Sequence, residues 1–241
     1  MKNNNRMKKA LLLLAFMPFF ALPLVSLANE EARLDKAPID ASNQESLQRG
    51  ARTFSNYCLN CHSANYMRYN RLVEIGLTEQ QIKENLIFTG DKVGDPMKVA
   101  MNKKDAKTWF GVAPPDLSVE VRARGADWVY SYMRGFYRDS TRPTGWNNAV
   151  YDKVAMPHVL YELQGEQALD HETHQLTLVK PGKLSATEYD ALVGDLTNYL
   201  AYMSEPAKQQ RNHMGWFVLL FLGVLLVLTY KLKKAYWKDI H

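Results

Sequence analysis

Cys58-Leu59-Asn60-Cys61-His62 holds the only two cysteines of this 241-residue chain, with a histidine directly behind the second. C-x-x-C-H is the attachment signature of a c-type haem. Each thiol can add to a haem vinyl group as a thioether, and the adjacent imidazole can ligate the iron from one face. Two other chemistries compete for a C-x-x-C pair: dithiol–disulfide exchange and half of a zinc site. Zinc wants a second Cys or His pair at ligand spacing, and no further cysteine exists. A thioredoxin-like dithiol sits near a βαβ pattern, which this chain lacks. The motif therefore reads as covalent haem c.

An iron held by His62 needs a partner on its other face. Methionine raises the potential and suits electron transfer, a second histidine lowers it, and an open face suits ligand chemistry. Of ten methionines, Met1, Met7 and Met17 fall in the N-terminal leader and Met214 opens an apolar C-terminal run. Met67 is too near His62 along the chain to reach around. Met133 and Met203 fall on expected helices that want them as core. Met97 and Met101 lie on an irregular segment and stay open. Met156 precedes Pro157, so its backbone is pushed extended and off any helix. It lies in a loop far along the chain from Cys58–His62, as a strap across a haem requires. Met156 leads, and His158 is the runner-up. For the haem propionates, Arg122 and Arg124 offer bidentate partners; a solvated basic face is at least as good a reading of that pair.

Several elements must position these groups. Leu47, Gly50, Ala51, Phe54 and Cys58 recur at helical spacing and predict a helix over 44–57 that delivers the motif. Ser185-Ala186-Thr187-Glu188 is a capping-box sequence, and Leu192, Leu196, Tyr199, Leu200 and Met203 make an apolar stripe over 186–203. Gly50 would let that last helix approach closely, with Tyr199 filling the contact. Between the two, a short helix is expected over 78–85, and 86–112 reads as irregular, broken by Gly90, Gly94 and Pro96. Pro114–Ser118 reads as a turn-like entry to a helix that Asp116 or Ser118 could cap and Gly125 could end. An aromatic-rich helix follows over 127–134. Strand content should be low, with a short hairpin arm over 173–180.

Lys2, Arg6, Lys8 and Lys9, the apolar run 10–25 and Ser26-Leu27-Ala28 form a cleavable signal over residues 1–28. An exported domain over 29–205 and a linker over 206–213 then precede a transmembrane helix over 214–232 and a tail over 233–241. Met214–Tyr230 carries no charge and spans about 25 Å as a helix. Lys231, Lys233, Lys234 and Lys238 crowd its far side, so the tail is cytoplasmic and the domain exported. The net charge of +5 belongs to the two ends. Residues 29–205 carry −4, so the basic pI is no argument for nucleic acid. Glu162, Glu166, Asp170 and Glu172 cluster after the Met156 loop and could steer a basic soluble partner.

Three stretches together resemble the cytochrome c1 family of ubiquinol–cytochrome c reductase (bc1) complexes. They are Arg49-Gly50 to Phe54 with Tyr57–Ser63, then Ala113–Ser118 with Val121–Arg124, then Pro143-Thr144-Gly145 leading to Met156-Pro157. The Pro-Pro-Asp-Leu-Ser block with its Arg-Ala-Arg is the most specific. The resemblance implies a mainly α, class I cytochrome c-like haem domain with loop-rich insertions, plus one C-terminal transmembrane helix. It implies thioethers at Cys58 and Cys61, His62 and Met156 as axial ligands, and Arg124 near a propionate. It further implies a bacterial inner-membrane subunit with its haem domain in the periplasm, beside cytochrome b in a dimeric complex. Such a subunit takes electrons from the Rieske iron–sulfur protein and passes them to a cytochrome c. Two readings of other classes stand beside it: a different membrane-anchored monohaem cytochrome, such as a terminal-oxidase subunit, and an anchored thiol–disulfide oxidoreductase without haem.

Overall fold

The computed structural model describes residues 34–238; the signal expected over 1–28 lies outside them. The architecture is mainly helical. Helix α1, Gln44–Thr53, is capped by Asn43, whose side chain accepts from the Ser46 backbone N–H. It widens without a break into a π-turn at Phe54–Cys58, a local insertion typical of functional positions. Helix α2, Glu79–Asn85, has the Thr78/Gln81 capping box. Helix α3, Lys103–Phe110, starts at an Asn102 cap and ends at left-handed Gly111. The short helices α4, Glu120–Arg124, and α5, Ala126–Arg134, meet at Gly125. After α6, Tyr161–Gln164, comes α7, Ala186–Ser204, with the expected Ser185/Glu188 capping box.

The core is the crossing of α1 and α7. Leu47, Ala51, Phe54, Val193, Leu196 and Tyr199 are all buried there, and the Phe54 and Tyr199 rings sit 5.7 Å apart. A Cβ on Gly50 would lie 2.1 Å from the Asp195 carbonyl oxygen and 2.6 Å from the Tyr199 Cβ. Only glycine fits at that backbone approach. Arg49 closes the same crossing by donating to Asp195 at 2.6 Å.

Among the described residues, strands are short and occur as antiparallel pairs. β1, Ala64–Arg68, pairs with β2, Pro96–Met97. β3, Phe136–Arg138, pairs with β4, Trp146–Asn148. β5, Gly165–Leu169, pairs with β6, Leu176–Pro181, in a bulged hairpin. Phe136, Trp146 and Val154 make a second, smaller core, and Met156 packs against both cores.

Helix α8, Lys208–Tyr236, is long and apolar enough to cross a membrane and buries none of its side chains. Its helical conformation begins at Lys208, inside the stretch read as a linker. A second departure is α3. Only Ala106 of that helix is buried, so no apolar stripe announces it, and the stretch 86–112 reads as irregular from sequence. Asp116 does not cap a helix; α4 starts later, after Val119.

Candidate haem site

The π-turn sets the geometry of the Cys58–His62 segment. The Cys58 carbonyl accepts from both the Cys61 N–H at 3.0 Å and the His62 N–H at 2.8 Å. This tight turn brings Cys58, Cys61 and His62 to the wall of one cavity. The rest of its lining is almost wholly apolar: Tyr57 from the π-turn, Phe110 and Val112 from the end of α3, Pro114 and Pro115, and Ala155-Met156-Pro157 with Val159.

His62 is oriented by the Pro-Pro-Asp-Leu-Ser block. Its Nδ1 lies 2.8 Å from the Pro115 carbonyl oxygen. A carbonyl only accepts, so Nδ1 carries the proton and Nε2 keeps a free lone pair, the arrangement of a metal-ligating imidazole. Burial lowers the His62 pKa, against opposing effects of the Pro115 carbonyl and the Glu120 and Asp116 charges. The imidazole is thereby held neutral, as a ligand must be.

The block itself is sewn to β1. Leu117 N–H donates to the Ser63 carbonyl at 2.9 Å, and Tyr66 N–H donates to Ser118 Oγ at 3.0 Å. Asp116 accepts from the Asn65 backbone N–H at 2.9 Å and from the Ser118 N–H at 2.9 Å. Burial raises the Asp116 pKa, yet these hydrogen bonds outweigh it and the net shift is downward. The motif's carboxylate is therefore a fastener that stays ionised.

Met156, also in the lining, accepts at Sδ from Tyr132 Oη at 3.4 Å. The Tyr132 ring is stacked on Trp128 at 4.9 Å and meets Phe136 edge-on at 5.1 Å. The competing ligands fall elsewhere. Met97 is fully buried and accepts from Tyr199 Oη. Met101 lines a neighbouring groove. His158 is 2 % exposed, stacked on Phe136 at 4.8 Å and edge-on to Trp146 at 5.0 Å; it is not part of the cavity lining.

Arg124 and Arg122 also lie outside that lining. Arg124 donates to Glu120 at 2.5 Å, and its guanidinium sits 4.4 Å from the Trp128 ring centre. Arg122 faces Glu205 at 3.8 Å. Half of the acidic cluster is paired internally. Glu162 pairs with Lys183, and Glu166 with both Arg138 and Lys180. Asp170 accepts from the Glu172 and Thr173 N–H groups of its own turn. Two of the four acids are therefore paired within the domain, which weakens the steering expectation for Glu162 and Glu166.

The residues present fit a haem. The cavity is apolar, a neutral imidazole and a thioether reach it from segments far apart in sequence, and both thiols lie on its wall. Dithiol exchange fits poorly. Burial pushes the Cys58 thiol up to about 12, with the Cys61 charge adding, and burial raises Cys61 as well. A nucleophilic cysteine needs the opposite shift. Among the described residues, no group of three His, Cys, Asp or Glu side chains could hold a bare metal ion.

Sequence reasoning missed Tyr57, Phe110, Val112 and Tyr132 as site residues. Asn102 and Gly111, a cap and a stop flanking α3, were the signal that could have found two of them.

Comparison with known proteins agrees with the geometry. The model of the Cytochrome C1 family matches residues 35–240. The chain is 54 % identical over 237 residues to the "Ammonia monooxygenase gamma subunit" of Nitrosomonas europaea, covering 98 % of this chain and all of that one. It is 49 % identical over 219 residues to cytochrome c1 of Allochromatium vinosum, covering 86 % of this chain and 90 % of the relative. Cytochrome c1 of Rhodospirillum rubrum matches at 29 % over 232 residues, 82 % of this chain and 83 % of the relative. The chain belongs to the cytochrome c1 family, as an electron-transfer subunit carrying one covalent haem c.

Proposed function

We propose that Cys58 and Cys61 carry the haem thioethers and that His62 Nε2 and Met156 Sδ are its axial ligands; Arg124, implied by the resemblance to serve a propionate, is paired with Glu120 outside the cavity lining. The observation that carries this reading is the single apolar cavity shared by Cys58, Cys61, His62 and Met156. Bound haem supplies a reversible one-electron couple. The protein's residues do the rest. The Pro115 carbonyl holds His62 in one tautomer. Tyr132 fixes the Met156 sulfur. Apolar walls exclude water and so favour the less charged, reduced state. With both axial positions filled, the site transfers electrons one at a time and leaves bond chemistry to its complex.

That complex is a quinol–cytochrome c reductase, with cytochrome b and a Rieske iron–sulfur protein as neighbours. The Rieske protein is the donor, a soluble cytochrome c the acceptor, and the assembly dimeric. Helix α8 is the anchor, and its terminal lysines support a cytoplasmic end with the haem domain on the periplasmic face of a bacterial inner membrane. The 54 % identity to a protein named as an ammonia monooxygenase subunit favours one second reading, a haem subunit serving a monooxygenase.

The test is spectroscopic and compositional. Membranes should show a c-type band reducible by quinol, with haem that stays on this chain through denaturing electrophoresis. Met156→Leu should remove the methionine–iron charge-transfer band. An unchanged band excludes Met156 as ligand. Co-purification with cytochrome b and a Rieske protein supports the reductase, and co-purification with monooxygenase subunits favours the second reading.

A further inference from the structure

Helix α3 borders the cavity and is held down by little. Its C-terminal end supplies Phe110, and Val112 follows. Its N-terminal half forms one side of an adjoining groove whose lining includes Cys61, Lys98, Met101, Lys103, Pro114 and Asp116. That groove shares Cys61 and Pro114 with the haem cavity. Lys98, Lys103, Lys104 and Lys107 are all exposed, and so is Trp109 at 65 %. None of the four lysines has an ion-pair partner among the described residues, and Asp105 is the only acid on the helix.

Two further acids are paired. Glu162 is matched by Lys183, and Glu120 by Arg124. Set against Asp105 on the helix and the ionised Asp116 in the groove, the four lysines leave this edge of the cavity net positive, although residues 29–205 carry −4 overall. Local charge at the docking edge, rather than the net charge of the domain, steers encounter. An exposed tryptophan among those lysines adds an apolar anchor of the kind that dominates interface energetics.

We propose that α3 and Lys98 form the docking surface for a soluble redox protein whose contact face is acidic. This rests on the reading of the cavity as a haem site and specifies its acceptor. Opposite charge steers the partner to the cavity edge, and Trp109 seats it there. The lysines supply rate and orientation; Phe110 and Val112 supply the apolar rim against which the two cofactor edges approach.

The experiment uses the membrane-bound complex with two soluble probes, a lysine-rich cytochrome c and the same cytochrome made acidic by succinylating its lysines. Reduction of each probe is followed at low and high salt in the wild type and in the K103E/K104E/K107E variant. The wild type should reduce the acidic probe faster at low salt, and salt should slow that reaction. The variant should lose about tenfold or more on the acidic probe and gain on the basic one. Reduction of its own haem by quinol should be unchanged. Equal rates on both probes in wild type and variant overturn the proposal. A defect seen only in vesicles of anionic lipid, and absent in zwitterionic ones, assigns the lysines to the membrane and also overturns it. Failure of quinol to reduce the wild-type haem strikes the underlying reading instead.

Discussion

Gly50→Ala tests the helix crossing on which the haem turn is built. The new methyl carbon would lie 2.1 Å from the Asp195 carbonyl oxygen, 2.8 Å from its carbon and 2.6 Å from the Tyr199 Cβ. Ordinary contact begins at 3.4 Å, so α1 and α7 must part by about 1.3 Å. The obstacles are backbone and Cβ atoms, which have no rotamer to yield. Overpacking of this kind costs roughly 1–3 kcal/mol. Separation also loosens the buried contacts of Leu47, Phe54, Leu196 and Tyr199 around the crossing. Alanine returns roughly 1 kcal/mol through helix propensity. The net expectation is a loss of about 1 kcal/mol, or about 2–4 °C in Tm at 2–4 °C per kcal/mol for a domain of this size. Thermal unfolding of the haem-loaded protein, followed by far-ultraviolet circular dichroism, measures it. Gly94→Ala is the control, because a Cβ there meets nothing within 4 Å. A Gly50→Ala protein that unfolds at or above the wild-type temperature refutes the tight crossing.

Other consequences follow from the site and its supports. Tyr132→Phe removes the donor to Met156 Sδ; a bond of about 1 kcal/mol corresponds to on the order of 40 mV for one electron. The potential should fall by that order in a redox titration, because the hydroxyl draws electron density from the sulfur. Asp116→Ala cuts the bonds to Asn65 and Ser118. It should loosen the Pro115 tether on His62, seen as carbon monoxide binding to the reduced protein where the wild type binds none. Glu166 is held at about 2 by its hydrogen bonds to Arg138 and Lys180. Its folded pKa is depressed, so its contribution is present above the ordinary value of 4.5 and fades as pH falls from there toward 2. Glu166→Gln should flatten acid unfolding across that window.

Local pattern made much of the frame readable. Periodicity located α1, a capping box with an apolar stripe located α7, and the pairing of Gly50 with Tyr199 followed from the size of the two residues. Spacing alone set Cys58, Cys61 and His62 together, and the pre-proline geometry of Met156 singled it out from nine other methionines. What escaped depends on partners distant in the chain. Asp116 looks like a helix cap until Asn65 is folded beside it. Glu162 and Glu166 look like free charge until Lys183, Arg138 and Lys180 meet them. Helix α3 escaped because a helix that buries one alanine leaves no apolar period to read. Tyr132 escaped because an aromatic on a helical stripe looks like any other core residue.

The junction between α7 and α8 has a consequence for traffic. Helix α7 ends at Ser204 and α8 begins at Lys208, leaving only Glu205, Pro206 and Ala207 between them. Glu205 is gripped by Arg211 from one side and faces Arg122 from the other. The cofactor-bearing domain thus has no slack leash on which to roam. It behaves as a fixed terminal, and any travelling between donor and acceptor falls to the proteins that visit it.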